Sequence, residues 1–140
     1  MKTILKSLQD ANKIYQMKLL KLSKKNNLTL AEWHLLDALA QGADTQDKLA
    51  QVMQLDPSTL SRQLKALSKK ECVESVAINR DNRQRKYSLS ETGQNVLKTL
   101  TQQAQVYREH VFSVWSEDEQ RMMTILLNRL ENSLNTNDIV

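Results

Sequence analysis

The sequence is short of the residues that interrupt helices or cross-link chains. It has two glycines and one proline in 140 residues, and because these residues punctuate most β-rich folds, the chain is expected to be mainly helical. The single cysteine, Cys72, excludes a disulfide within the chain and favours a reducing compartment. No apolar run approaches the ~18 residues of a membrane span, and no signal-peptide core stands at the N-terminus. We therefore expect a soluble cytoplasmic protein.

Charge is plentiful and unevenly distributed. The formal net charge is +4, with 40% apolar and 26% charged residues, a composition that fits one compact subunit. Residues 56–88 contain eight Lys and Arg against four Asp and Glu, and residues 1–25 contain seven lysines and one acid. Residues 101–140 reverse the balance, with three basic and six acidic side chains. Concentrated positive charge predicts a polyanionic partner, with ordinary solvated lysines as the alternative.

Capping residues and apolar spacing predict a helix-turn-helix in the middle of the chain. A capping box of Thr29 and Glu32 starts one helix, which ends near Gln41. The short segment "QDKLAQVMQ" then precedes an amphipathic helix that opens with Asp56 as N-cap and Pro57 at the first helical position. Two short helices joined by a tight connection, the second capped and amphipathic, form this motif.

A change of period predicts a β-hairpin after the motif. "CVESVAI" and "KYSLS" alternate apolar and polar residues on either side of the basic loop "NRDNRQR". Longer helical patterns run from about Lys2 to Lys25, from Ser90 to about Val114, and beyond a capping box of Ser116 and Glu119. The expected fold class is mainly α with a small β-hairpin wing, a winged helix-turn-helix.

The polar face of the second motif helix and the hairpin loop carry side chains suited to DNA. Arg62 can pair with guanine O6 and N7, and Gln63 with adenine, whereas lysine ammonium groups suit phosphates. Short hydroxyls near a helix N-terminus suit phosphates or base edges. A thin arginine loop can enter a narrow minor groove, with Asp81 holding a neighbouring arginine in position. The candidate DNA-binding residues are Ser58, Thr59, Ser61, Arg62, Gln63, Lys65, Lys69, Arg80, Asp81, Arg83 and Arg85.

The order of these elements resembles the MarR-type (multiple antibiotic resistance regulator) winged helix-turn-helix transcription factors. The similarity is strongest in "LTLAEWHLLDAL", "KLAQVMQLDPSTLSRQLKALSKKECVE" and "RDNRQRKYSLSETG", and most specific in Asp81-x-Arg83 followed by "LSETG". It implies a homodimer on a pseudo-palindromic double-stranded DNA operator, with Arg83 in the minor groove and repression as the usual outcome. It also implies a DNA-binding region over residues 28–100 and a helical dimerisation region over residues 1–27 and 101–140.

One residue departs from the family pattern. Gln54 stands just before the second helix of the motif, where the family often has glycine. If that position needs φ > 0, glutamine costs roughly 1 kcal/mol. We expect the motif to survive with a slightly altered turn.

The terminal helices give the dimer a physical reason. Their apolar residues extend beyond one narrow stripe, and a small winged domain leaves them uncovered. Examples are Phe112, Trp115, Met122 and Leu134. Two-fold symmetry also sets two recognition helices one DNA turn, ~34 Å, apart.

The resemblance implies control by a small molecule, by cysteine oxidation or by a metal. By position, the candidate ligand-binding residues are Tyr15, Trp33, His34 and His110, with packing as the alternative for Tyr15 and Trp33. A zinc site normally needs three or four ligands, so two histidines make a thin case, and no metal or cofactor is expected. Cys72 lies near Glu71 and Glu74, and because neighbouring acids raise a thiol pKa, we expect a buried small residue rather than a redox sensor.

Enzymes and protein-binding adaptors are the two alternative classes of protein. The sequence has no Gly-rich phosphate loop and no clear Ser/His/Asp or Cys/His constellation, so no enzyme is expected. The main alternative is a helical adaptor that binds protein through its lysine-rich faces, without sequence-specific DNA recognition.

Overall fold

The computed structural model describes residues 1–78 and 84–136, and within them six helices and one two-stranded antiparallel sheet. In chain order the elements are α1 (Ile4–Lys25), α2 (Leu30–Ala40), α3 (Gln46–Met53), α4 (Pro57–Lys69), β1 (Val73–Ala77), β2 (Arg85–Leu89), α5 (Glu91–Val111) and α6 (Glu117–Leu134). The chain divides into two compact units, Met1–Ala104 and Gln105–Val140. The expected winged helix-turn-helix is confirmed, with α3 and α4 as the motif and β1 and β2 as the hairpin. Neither described range contains a helix of the length and apolarity that crossing a lipid bilayer requires.

Both predicted capping boxes are present. The Thr29 hydroxyl accepts a hydrogen bond from the Glu32 backbone N–H at 3.0 Å, and the Glu32 carboxylate accepts one from the Thr29 N–H at 2.8 Å. Ser116 and Glu119 make the same reciprocal pair at the start of α6, at 3.1 and 2.9 Å. Each box satisfies backbone donors that the first turn of a helix leaves without a partner.

Two helix boundaries differ from the prediction. α1 begins two residues later than expected, because the Thr3 hydroxyl caps it by accepting from the Lys6 N–H at 3.1 Å. α5 ends at Val111, three residues earlier than expected, and the Trp115 N–H donates to the Phe112 carbonyl in the turn that follows. Local capping and turn hydrogen bonds therefore outweigh the apolar periodicity at both places.

The turn between α3 and α4 keeps a left-handed residue without glycine. Gln54 has φ 54° and ψ 46°, and its N–H donates to the Ala50 carbonyl to close α3. The condition stated for this position, a positive φ, is thus met, and the motif forms with glutamine in a conformation that glycine adopts more readily. Asn27 and Glu71 also have positive φ, 60° each, just after α1 and α4.

The hairpin is tied to the loop between α2 and α3. The register pairs Val73 with Leu89, Glu74 with Ser88, Ser75 with Tyr87, Val76 with Lys86 and Ala77 with Arg85. The Asp44 carbonyl accepts from the Tyr87 N–H at 2.7 Å, and Thr45 forms an isolated antiparallel bridge with Lys86. The Asp44 carboxylate also lies 3.3 Å from Lys48 Nζ and 3.4 Å from Lys86 Nζ, and these contacts, first the hydrogen bond from Lys48, lower the pKa of Asp44. The loop therefore sets the position of the hairpin base.

The start of α5 lies against the start of β1. The Ser90 hydroxyl donates to the Glu71 carbonyl at 2.5 Å and accepts from the Gly93 N–H at 3.0 Å, while the Ser90 N–H donates to the Cys72 carbonyl at 3.0 Å. A Cβ added at Gly93 would overlap that same Cys72 carbonyl. The glycine of "LSETG" is therefore required by a close approach of two backbones, and not by its own φ.

The core of the first unit is built mainly from leucines of α2, α3, α4 and α5. Its fully enclosed side chains include Leu35, Leu36, Leu49, Leu60, Leu67 and Leu100. A partly buried ion pair joins α2 to the end of α4: Lys70 Nζ lies 2.7 Å from Glu32 Oε1, with the Glu32 side chain only 5% exposed. Lys70 also donates to the Asn27 carbonyl at 2.9 Å. One ammonium thus links α4 with the connection between α1 and α2.

In the second unit, α6 has no buried residue. Before it, Phe112 and Trp115 form an edge-to-face pair with ring centroids 5.4 Å apart and an interplanar angle of 85°. Most of the large apolar residues of α6 are exposed, and they include Met122, Ile125, Leu126, Leu127 and Leu134, whereas Leu130 is half-buried. The unit as described has little core of its own.

Candidate nucleic-acid interface

Helix α4 separates an inner leucine face from an outer polar face. Leu60, Leu64 and Leu67 are at most 2% exposed and anchor the helix in the core. The side chains on the opposite face are exposed, as predicted from the 100° step of a helix. They are Ser58, Arg62, Lys65 and Lys69, with Thr59 and Ser61 half-buried at the flanks. The rigid packing of the leucines fixes the direction in which the polar face points.

Asp56 occupies the N-terminus of α4. Its Oδ1 accepts from the Thr59 N–H at 2.8 Å and from the Ser58 hydroxyl at 2.7 Å, and its Oδ2 accepts from the Thr59 hydroxyl at 3.1 Å. These hydrogen bonds, with that of the Thr59 N–H first, lower the pKa of Asp56 to about 2. Sequence reasoning assigned the two hydroxyls to DNA, but in the free protein both already donate to this carboxylate. The negative end-group also opposes a phosphate at this helix start.

Gln63 is only partly open to solvent on α4. It is half-buried, and its side-chain Oε1 is enclosed and has no hydrogen-bond partner within residues 1–78 and 84–136. A bidentate contact with adenine uses both the oxygen and the nitrogen of the amide. The side chain must therefore turn outward before it can make that contact.

The hairpin loop is described only at its base. Arg80, Asp81 and Arg83 lie outside the described residues. Arg85, at the start of β2, is half-buried: its Nε donates to the Ser75 hydroxyl at 2.9 Å and its Nη2 to the Ser75 carbonyl at 3.4 Å. Beside it, an open cleft of about 340 Å³ runs between the hairpin base and the first turn of α3.

The four candidate ligand-binding residues have different surroundings. Trp33 is 7% exposed and belongs to the hydrophobic core, whereas Tyr15 is 45% exposed on α1. His34 is exposed and lines an open cleft of about 360 Å³ between α2 and α3. Burial raises the pKa of Asp37 in the same cleft, partly offset by the nearby His34. His110 is exposed and belongs to the second unit.

Cys72 is buried beside an acidic side chain of α2. Cys72 is 3% exposed, and burial, followed by the nearby Glu32 carboxylate, raises the pKa of its thiol. The predicted direction is right, although the acid responsible lies on α2 and not beside the cysteine in the sequence. Within the described residues, no three His, Cys, Asp or Glu side chains are grouped as a metal site would need.

The fold and the site define a winged helix-turn-helix protein. Its parts are a short helix, a capped helix with a polar outer face, and a β-hairpin beside them. The family model described as "MarR: MarR family" matches residues 28–84. Over 111 residues the chain is 31% identical to an uncharacterized HTH-type transcriptional regulator, YxaD, of Bacillus subtilis (strain 168), covering 79% of this chain and 78% of YxaD. The chain belongs to the MarR family, whose members are transcription regulators and not enzymes.

Solved structures show the same fold at low sequence identity. MepR, a transcription regulator of the Staphylococcus aureus multidrug efflux pump MepA, is 20% identical with a TM-score of 0.81, over 96% of this chain and 100% of MepR. A complex of MepR with DNA gives 21% identity and a TM-score of 0.74, over 95% and 97%. Wild-type MarR from E. coli without ligand gives 20% identity and a TM-score of 0.76, over 93% and 97%.

Proposed function

We propose that the protein is a homodimeric repressor that binds a pseudo-palindromic double-stranded DNA operator and leaves it when an effector binds. The observation that carries the proposal is the outer face of α4, where Arg62, Lys65 and Lys69 are exposed on a helix held by buried leucines. Support also comes from the fold, which is that of MepR, a protein solved in complex with DNA. A regulator of this kind acts where the DNA is, and we propose the cytoplasm as its location.

The residues divide into readers of bases and binders of phosphate. Arg62 reads guanine in the major groove by a bidentate pair, and Gln63 contacts adenine after turning outward. Lys65 and Lys69 bind phosphates, because an ammonium acts as a point charge without a fixed direction. Ser58, Thr59 and Ser61 lie at the DNA surface where α4 begins.

The wing makes the second group of contacts. Arg83 enters the minor groove, and Asp81 braces a neighbouring arginine. Arg80 and Arg85 add positive charge near the backbone of the DNA. Because Ser75 already holds the Arg85 guanidinium, we assign Arg85 a supporting role at the base of the wing.

A second copy of the chain covers the terminal helices. Ile125 and Leu127 are 58% and 43% exposed, and at ~100° per residue they lie on nearly opposite sides of α6. Apolar residues on both sides of a helix need more than one neighbour. The exposed apolar residues of α1 belong to the same proposed interface, and they are Ile4, Leu5, Ile14, Tyr15, Met17 and Leu20. Residues 1–27 and 101–140 thus form the dimerisation region, and residues 28–100 the DNA-binding region.

Sedimentation velocity tests the dimer. Leu126 lies midway around the helix between Ile125 and Leu127, so Leu126→Glu places a charge at the centre of the exposed apolar surface of α6. We expect this variant to sediment as a monomer at concentrations where the parent is dimeric. Asn128→Glu is the matched control, because Asn128 lies about 160° around the helix from Leu126. Equal sedimentation of the parent and Leu126→Glu would contradict the assignment of α6 to the interface.

The effector is proposed to be a small molecule. Of the four candidate residues, Tyr15, His34 and His110 are exposed, whereas Trp33 is buried in the core. Fluorescence anisotropy of an operator duplex gives the concentration at which a compound releases the protein. His34→Ala and His110→Ala should raise that concentration without changing affinity for DNA in its absence.

Selection of bound duplexes from a random library tests DNA recognition. The enriched sequence should be a pseudo-palindrome, and its affinity should fall steeply with ionic strength through counterion release. Arg62→Ala should weaken binding roughly 5- to 150-fold and blur one base position, and Arg83→Ala should weaken binding with the dimer intact. Arg121→Ala, which removes an exposed arginine paired with Asp118 on α6, is the matched control. A library that yields no enriched sequence contradicts the proposal.

A further inference from the structure

A chain of hydrogen bonds leads from Asp56 to Arg62 along the start of α4. The Thr59 hydroxyl donates to Asp56 Oδ2 at 3.1 Å, and the same hydroxyl oxygen accepts from Arg62 Nη2 at 3.4 Å. Arg62 is exposed on the outer face, so its guanidinium contacts Thr59 on one side and solvent on the other. Thr59 lies three positions after Asp56, and Arg62 lies three positions after Thr59, so each residue is next to the following one on the helix surface.

The direction of the Thr59 hydroxyl is set by the carboxylate. A threonine hydroxyl has one proton and two lone pairs. Because the proton points to Asp56, the lone pairs face away from it, where the Arg62 guanidinium donates. A carboxylate is needed for this arrangement, because Oδ1 is already engaged with the Thr59 backbone N–H and the Ser58 hydroxyl.

From this geometry we infer that Asp56 and Thr59 are positioning residues. They orient the Arg62 guanidinium and so determine which base Arg62 prefers at its operator position. The inference rests on the proposed function and names the residues that make it specific. Capping of α4 alone does not require this acid, because asparagine and serine cap helices about as well as aspartate does. The pKa of about 2 keeps Asp56 charged across the physiological range, so the aim does not vary with pH there.

The test is a measurement of base preference rather than of affinity alone. Library selection with the parent and with Arg62→Ala identifies the operator position whose preference depends on Arg62. At that position, the ratio of dissociation constants for the worst and the preferred base pair is then measured by fluorescence anisotropy. We expect a ratio of roughly 10 to 100 for the parent. Circular dichroism melting of each variant checks that the fold is retained.

Two substitutions break the chain of hydrogen bonds while keeping the helix capped. Thr59→Val keeps the shape and removes the hydroxyl, and Asp56→Asn keeps the cap and replaces the oxygen that accepts from Thr59. Each should lower the ratio about fivefold, the effect of losing one hydrogen bond. Thr59→Ser retains the hydroxyl and should restore most of the ratio relative to Thr59→Val. In an Arg62→Ala background, Thr59→Val should change the ratio no further.

The outcomes separate the inference from the function it rests on. A parent protein that enriches no sequence contradicts both. A parent that enriches an operator, while Thr59→Val and Asp56→Asn leave the Arg62-dependent ratio unchanged, contradicts the inference alone. An effect of Thr59→Val that persists undiminished in the Arg62→Ala background also contradicts it, because Thr59 would then act through a contact of its own.

Discussion

Replacing Gln54 by glycine should stabilise the protein, although glycine generally weakens helical proteins. Gln54 has φ 54° and ψ 46° at the end of α3, and its side chain is exposed. The left-handed conformation costs a residue with a Cβ about 1–2 kcal/mol, whereas the added freedom of glycine in the unfolded chain costs about 0.4–1 kcal/mol. The difference favours Gln54→Gly by roughly 0.5–1 kcal/mol.

Chemical denaturation at a fixed protein concentration measures this gain, since the stability of the proposed dimer would depend on concentration. Gln51→Gly is the matched control: Gln51 is exposed inside α3, where glycine should cost about 1 kcal/mol. The two glycine variants should therefore differ by about 1.5–2 kcal/mol in opposite directions from the parent. Gln54→Ala removes the side chain but keeps the Cβ, and should gain little. If both glycine variants lose stability equally, the left-handed residue is not strained and the reasoning is wrong.

Three further predictions concern stability. Gly93→Ala should lower the free energy of unfolding by at least about 2 kcal/mol, because the new methyl group overlaps the Cys72 carbonyl. The melting temperature should fall accordingly, although helix propensity alone favours alanine. Lys70→Met should cost about 2 kcal/mol in urea denaturation by leaving the buried Glu32 carboxylate without its cation, and the double variant with Glu32→Gln should recover most of the loss. The folded pKa of Asp56 is lowered from 3.8 to about 2, so its contribution to stability is complete above about pH 4 and lost as the pH falls towards 2. Asp56→Asn keeps a helix cap that does not titrate, so in chemical denaturation the parent should lose stability relative to this variant as the pH falls from 5 to 2. Curves that stay parallel over this range would contradict the linkage.

Most of the secondary structure could be predicted from the sequence because its signals are local. The capping box of Thr29 and Glu32 involves residues three positions apart, and the N-cap Asp56 reaches only to the first turn of its own helix. Thr3 carries the same kind of local signal, and its hydroxyl sets the start of α1 two residues later than the apolar spacing predicts. The outer face of α4 followed equally directly from the 100° step of the helix.

The contacts between elements could not be predicted in the same way. The ion pair of Lys70 with Glu32 joins residues 38 positions apart, and nothing in either segment indicates that the two ends meet. The role of Asp44 in holding the hairpin base also depends on a pairing that appears only once the chain has folded. For the candidate site, the sequence indicates the type and the position of each side chain on α4. It does not indicate that the Ser58 and Thr59 hydroxyls donate to Asp56, because each hydroxyl has several possible partners until the helix has formed.

The close approach of α5 and β1 has a mechanical consequence. Where side chains separate two elements, small rotamer changes absorb a shift of one against the other. At Gly93 no side chain intervenes, and the helix backbone rests directly on the Cys72 carbonyl, with Ser90 bonded to both. A shift of the first turn of α5 would therefore press directly on the Cys72 carbonyl, and we expect it to move the start of β1 as well.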